Sequence, residues 1–384
     1  MTQDKLQCIC FGAGALGLGF LGPELSDECR ITYVDIPAKA DLLNRLREDG
    51  RYTFNRTGLA VRQVEVSGVN GLCLSEETAD EVTDLLCRAD LVFTAVGEPN
   101  LPRLAPTVAA GLAARPPGKP LSILCGENGV EIARKFREEL EAVLEDGVPE
   151  AARIGDTVMG RMCKLVEDPE PPLRPPAEGL EWAVVAEPFF GIPAEEHAVA
   201  DLRFLPAAIE AQAPARFRAS EDVKMLAHNG LHAVLACLGH LRGTRHFDEL
   251  RSEADLMELA QNMLISEAGA ALLRKHGSAL PRNEYLNYAD SILRRVTCPV
   301  LHDSVQRGVR GIVRKLQPWE RLVHSVRTVA AHGARPEGYA TGLAAAVKIA
   351  RQSGETELDF EGVLTEICAF DPAEDGELMD LIRR

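Results

Sequence analysis

Apolar and polar positions follow two different rhythms along this chain. In the first half, short apolar runs alternate with stretches of helical spacing. LQCICF (6–11), RITYVD (30–35), ADLVFTAV (89–96) and LSILC (121–125) read as strands. ALGLGFLGPEL opens a helix after the first, ADLLNRLRED follows the second and VEIARKFREELEAVL the last. This alternation predicts an α/β fold with a Rossmann-like, doubly wound parallel sheet. YTFNRTGLAVRQVEV (52–66) alternates polar and apolar residues and is expected to form a short antiparallel insertion. WAVVAEPF (182–189) reads as one more strand, after a proline-rich loop, EDPEPPLRPPAEG (167–179).

From about residue 200 onward strand signals vanish. DLMELAQNMLISEAGAALLRKHG and YATGLAAAVKIARQ carry helical spacing, and a short helix ends the chain. With 384 residues the chain exceeds one ordinary core. We therefore expect a dinucleotide-binding domain over 1–200 and a mostly α-helical substrate domain over 201–384.

The first strand leads into FGAGALGLGF, where Gly12, Gly14 and Gly17 have GxGxxG spacing. The first glycine permits a tight turn, the second lets a pyrophosphate approach the backbone, and the third lets helix and strand pack closely. The helix start then offers free N–H groups to phosphate. Asp35 ends the second strand, where a carboxylate reaches ribose hydroxyls. It also repels a 2′-phosphate, which favours NAD over NADP.

A second cluster is KMLAHNGLH (224–232). On an α-helix, with Lys224 at zero, His228 lies at about 40°, His232 at about 80° and Asn229 at about 140°. A solvated face is the plain alternative, but such faces usually carry Glu, Lys and Arg. Asn229 and Gly230 are poor helix formers, so their place mid-helix calls for another gain. His228 and His232 have zinc-ligand spacing, yet position 229 is not the glutamate of HExxH, and no third ligand is evident. No metal is expected. A desolvated lysine, by contrast, loses basicity and serves as a general base near neutral pH.

Lys224, Asn229 and His232 reproduce the K-x4-N-x2-H motif of the polyol-specific long-chain dehydrogenases, and the chain resembles that family. The resemblance extends through VSGVNG (66–71), TAVG (94–97), GEN (126–128), SEAGAALLRKHG (266–277) and DSVQRGVRGIVRKL (303–316). It implies a Rossmann domain followed by a helical one, and NAD-dependent, metal-independent hydride transfer between a polyol and its ketose. Mannitol 1-phosphate and fructose 6-phosphate are the leading pair. Lys224 is then the general acid/base, Asn229 an oxyanion arm and His232 the group orienting the reacting oxygen. Asn128 approaches from the Rossmann side, and Gly97 of TAVG belongs with the cofactor. Glu221 either tunes the lysine or is a solvated helix residue, and His228 lies behind the motif. The chain departs from the family at Gly160-Arg161, where relatives carry Asp-Arg, and at Leu18, where they carry arginine. Val296, Cys298 and Ile312 replace Phe, Asn and Pro.

QRGVRGIVRKL (306–316) gathers Arg307, Arg310 and Arg314 at spacing that would share one helical side and contact a substrate phosphate. Surface ion pairing is the competing use. The formal charge of −16 argues against a nucleic-acid partner. No apolar run approaches the ~20 residues of a membrane span. MTQDKLQC lacks the marks of a secretory signal, so a cytoplasmic enzyme with free thiols at its ten cysteines is expected. The rivals are a family enzyme acting on unphosphorylated mannitol or a hexuronate such as fructuronate or tagaturonate, and a non-catalytic NAD-binding sensor. Oligomeric state is left open.

Overall fold

The computed structural model describes residues 4–384 as two compact units, the first ending at Phe217 and the second beginning at Arg218. The division falls later than residue 200 because one more strand completes the first unit. That unit holds twelve strands: β1 (Leu6–Phe11), β2 (Cys29–Asp35), β3 (Arg51–Arg56), β4 (Arg62–Ser67), β5 (Val69–Cys73), β6 (Leu91–Thr94), β7 (Leu121–Cys125), β8 (Ala152–Asp156), β9 (Cys163–Glu167), β10 (Trp182–Ala186), β11 (Ile192–Glu195) and β12 (Ile209–Gln212).

Six of them form one parallel sheet in the order β5-β2-β1-β6-β7-β8. The order reverses between β1 and β6, which opens a crevice at the carboxyl ends of those two strands. Alternate residues of β1 serve two cores. Cys8 and Cys10 pack on one face with Tyr33 and Phe93, while Ile9 and Phe11 pack on the other with Val34 and Val92. The 52–66 segment is an antiparallel pair, β3 with β4. It is not isolated: β10 joins β3 in parallel and β9 pairs with β10, giving a second sheet, β4-β3-β10-β9. The expected strand at 182–189 is therefore real but shorter, and it belongs to this second sheet. The run past residue 200 is not wholly helical, since β12 pairs with β11.

The second unit is helical. Its long helices are Leu231–Leu241, Arg282–Val296, Arg321–Ala331 and Glu337–Gln352. The run DLMELAQNMLISEAGAALLRKHG is one helical rod whose middle, Met263–Gly269, widens into a π-turn. Within it, buried Glu267 accepts hydrogen bonds from Gly338 N (2.8 Å) and Tyr339 N (3.3 Å). A carboxylate thus satisfies the open amides at the start of the helix Glu337–Gln352. Among the described residues, no helix is long and apolar enough to cross a membrane.

Candidate functional site

In the first unit, the turn after β1 is built on backbone that only glycine tolerates. Gly12 has φ +110°, and a Cβ there would lie 2.4 Å from the Ala95 carbonyl oxygen. A Cβ on Gly17 would lie 2.2 Å from Gly12 O. Gly14 differs: nothing lies within 4 Å of its Cβ position, so the space over it is open. Asp35 reaches back from the end of β2, its Oδ2 accepting Ala13 N at 2.7 Å and its Oδ1 accepting Ile36 N at 2.8 Å. Gly97, exposed at φ +87°, turns the chain after β6. Asn128 is exposed in the loop after β7.

Sequence reasoning missed Glu127, beside it. Its carboxylate is buried and accepts Thr94 Oγ1 (2.6 Å) and Val96 N (3.1 Å), tying the loop after β7 to the loop after β6. Burial raises its pKa against these hydrogen bonds. Neighbouring residues in GEN thus face opposite ways, a distinction that no periodicity in a short loop reveals.

Two of the departures have a local cause. Leu18 is fully buried in the core, so its side chain belongs to packing. A Cβ at Gly160 would come within 2.7 Å of the Phe189 ring, which leaves no room for an aspartate. Arg161 is buried beneath the glycine helix. It donates to Phe189 O (2.6 Å) and Gly19 O (3.0 Å), pairs with Glu24 and lies over the Phe20 ring at 4.6 Å.

In the second unit, Lys224–Gly230 is not α-helical. It is a π-turn between the helices ending at Val223 and beginning at Leu231. The helical-wheel angles above therefore do not hold. Hydrogen bonds in a π-turn close over five residues, not four. Residues five apart, as Lys224 and Asn229 are, fall near one side of such a turn, where an α-helix would turn them away from each other. Such an insertion also accounts for Asn229 and Gly230 in mid-helix. A Cβ on Gly230 would meet Ser325 Oγ at 2.8 Å and the Tyr339 ring at 2.9 Å.

Lys224 is partly buried, and removal from water pulls its pKa down to about 8. The charge of Arg321 lowers it further, and Glu221 opposes more weakly. Buried His228 is kept neutral by its burial and by the cations Arg295, Lys224 and Arg321, and its Nδ1 has no hydrogen-bond partner. His232 stacks on Phe247 (4.2 Å between centroids) and sets Nε2 3.3 Å from Asp303 Oδ2. Burial lowers its pKa against the pull of Asp303. In the neutral ring Nε2 then carries the proton, and Nδ1 keeps its lone pair for another donor. Among the described residues, no three His, Cys, Asp or Glu side chains form a metal-holding group.

The arginine run does not form the continuous face its spacing suggested. Val305–Val309 and Ile312–Lys315 are two short helices separated by Gly311, which adopts φ +60°. Arg307 is bound to Asp303 by its Nε (2.8 Å) and Nη2 (2.5 Å), and Arg314 pairs with Glu320. Arg310 is exposed. Asp303 therefore serves His232 and Arg307 together. Its burial would raise its pKa, but their hydrogen bonds outweigh this and hold the carboxyl well below the usual carboxylate range. Lys315, buried, donates to Gly308 O at the end of the first short helix. Asp303 was visible in the sequence only as the residue four before Arg307.

Arg321 is the other residue the motif did not reveal, because it lies on a helix nearly a hundred residues further on. Its charge acts on Lys224, His228, His232 and Lys315 alike. Removing it as Arg321→Gln is expected to raise the lysine midpoint above about 8. The check is the pH dependence of Lys224 acylation, followed by mass spectrometry. A midpoint that stays or falls would show that burial alone sets it.

A glycine turn at the switch point of a Rossmann sheet, joined in sequence to a helical unit bearing a desolvated lysine, defines a dinucleotide-dependent dehydrogenase. Comparison with known proteins narrows this. Residues 6–203 match the mannitol dehydrogenase Rossmann domain, and residues 218–361 match the mannitol dehydrogenase C-terminal domain. The chain belongs to the mannitol dehydrogenase family and is an oxidoreductase. Mannitol-1-phosphate 5-dehydrogenase of an Exiguobacterium strain is 30% identical over 363 residues, covering 89% of this chain and 85% of that protein. The enzyme of the same name from Shouchella clausii is 29% identical, covering 87% and 86%. Among solved structures, D-sorbitol dehydrogenase in substrate-free form matches with a TM-score of 0.72 at 15% identity, covering 98% of this chain and 92% of that one. Pseudomonas fluorescens mannitol 2-dehydrogenase, in a ternary complex with NAD and D-mannitol, matches at 0.67 and 15%, covering 91% and 80%. These two likenesses establish the fold.

Proposed function

We propose that the protein interconverts mannitol 1-phosphate and fructose 6-phosphate by hydride transfer to and from NAD, with Lys224 as general acid/base. The observation that carries this reading is that Lys224, partly withdrawn from water, and Asn229 lie five residues apart on one π-turn. In polyol oxidation the neutral amine of Lys224 takes the hydroxyl proton as the carbon gives hydride to the nicotinamide. In ketose reduction the ammonium returns it. The Asn229 amide donates to the oxygen as charge builds there. His232, fixed by Asp303 through Nε2, accepts from the substrate through Nδ1. In the first unit, the amides after Gly12 and Gly14 hold the diphosphate, Gly97 lies against the cofactor, and Asp35 exchanges Ala13 N for ribose hydroxyls. Asp35 also favours NAD over its 2′-phosphate. Asn128 contacts substrate or nicotinamide.

The relatives' names support a phosphorylated substrate. Arg310 is left as the phosphate contact among the three arginines of the run. A second reading, an unphosphorylated polyol, is favoured by one observation: Arg307 and Arg314 already hold carboxylates. The test is NADH consumption by chelator-treated protein with fructose 6-phosphate, fructose and fructuronate in parallel. Turnover on fructose 6-phosphate alone is expected. Preference for fructose or fructuronate would remove the phosphate and keep the lysine chemistry, and binding of NADH without any turnover would favour a sensor.

A further inference from the structure

Four of the five tyrosines are fully buried, and all four do the same thing. Each donates its hydroxyl to a main-chain carbonyl inside a π-turn. Tyr33 and Tyr52 donate to Gly17 O (3.0 Å) and Leu18 O (2.7 Å) in the turn Gly17–Leu21. Tyr285 donates to Leu264 O (2.6 Å) in Met263–Gly269. Tyr339 donates to Leu226 O (3.0 Å) in Lys224–Gly230.

A glycine accompanies each turn where the tyrosine closes on it. A Cβ would meet the Tyr52 and Tyr33 hydroxyls at Gly22 (2.0 and 2.2 Å), the Tyr285 ring at Gly269 (2.8 Å) and the Tyr339 ring at Gly230 (2.9 Å). The physical reason is common to all three. Widening a helix by one residue disturbs the regular pairing of carbonyls with amides. At Gly17 O and Leu226 O the phenol joins the five-residue main-chain bond, donated by Gly22 N and Leu231 N, that closes the turn. A phenol from a neighbouring element thus adds a donor to a carbonyl of the widened turn, and glycine lets it approach.

We propose that Tyr339 is a positioning residue: by holding Leu226 O, its hydroxyl keeps Lys224–Gly230 in the register that sets Lys224 beside Asn229. Without it, the segment relaxes toward α-helical register, in which the two side chains stand about 140° apart. The chemistry it positions is that of the function proposed above, on which this inference rests. Tyr339 does not touch substrate. Its effect passes through the main chain of the turn.

The experiment compares Tyr339→Phe with Tyr285→Phe. Each deletes one hydroxyl, donated to one π-turn carbonyl in the same unit, so both lose similar thermal stability. Only Tyr339→Phe is expected to lower kcat, by about 10- to 100-fold for a misplaced acid/base, with KM for ketose and NADH affinity little changed. It also lets water reach Lys224, so the midpoint for acylation of that lysine moves upward. Gly230→Ala, which pushes against the Tyr339 ring, gives the same two changes and serves should Tyr339→Phe not fold. Wild-type kcat and lysine midpoint in Tyr339→Phe, with stability lost as in Tyr285→Phe, would overturn the proposal. If the wild-type protein reduces none of the sugars, the polyol reading falls by itself. The acylation midpoint then decides alone: a rise confined to Tyr339→Phe supports positioning, and an unchanged midpoint overturns it.

Discussion

Lys224→Ala is expected to bind NADH as the wild type does and to turn over polyol or ketose about 10²–10⁴-fold more slowly, the usual worth of a general acid/base. Two further changes separate this from a folding defect. Wild-type polyol oxidation should rise with pH through about 8, because the neutral amine is the active form, and ketose reduction should fall through the same value. Lys224→Ala should lose that midpoint in both directions. The stability change has the opposite sign to a folding defect. The pKa of Lys224 is lower folded than the ordinary 10.5, so between about 8 and that value the unfolded chain binds more protons. Stability therefore rises with pH across that window, and below it the buried cation destabilises the fold by a constant amount. Removing the amine should raise Tm at pH 7, by at most roughly 3 kcal/mol in free energy. The amine keeps some solvent access, and screening reduces the effect. Unchanged turnover with a lowered Tm would make Lys224 a structural residue.

Gly12→Ala has the second large effect, and Gly14→Ala is its control. At Gly12, φ is +110° and the added Cβ would press on a main-chain carbonyl at 2.4 Å, which no side-chain rotation relieves. Strained backbone costs about 1–3 kcal/mol, and overpacking about as much again. A Tm loss on the order of 10 °C in the first unit follows. At Gly14 the same methyl meets nothing within 4 Å. Gly14→Ala should keep its Tm and instead weaken NADH, because the methyl stands in the open space where a diphosphate would approach the backbone. Calorimetry and a fluorescence titration of NADH on both variants check the pair. Equal loss of Tm in both would mean that the second glycine is structural too.

Much of this molecule was legible in the order of its residues. Apolar runs separated by helical spacing determine a parallel sheet, since strands buried on both faces must be apolar throughout. The glycine spacing and the carboxylate at the end of β2 mark the turn proposed for the cofactor through local backbone geometry alone. Lys224, Asn229 and His232 are recognisable because they lie within nine residues. Tertiary structure decided what distance in sequence hides. β9 and β12 are short, and β10 is assigned its sheet by a partner far back along the chain, β3. The three arginines of 307–314 keep their identity but not their shared face, because Gly311 breaks the helix and Asp303 and Glu320 take two of the charges. The turn at Lys224 follows a five-residue closure that no wheel of 100° steps can show. Its support comes from a phenol 113 residues away, at Tyr339. Periodicity records which side of an element meets the core. Which carbonyl of a turn gains a second donor, and which distant side chain supplies it, is decided only when the elements pack.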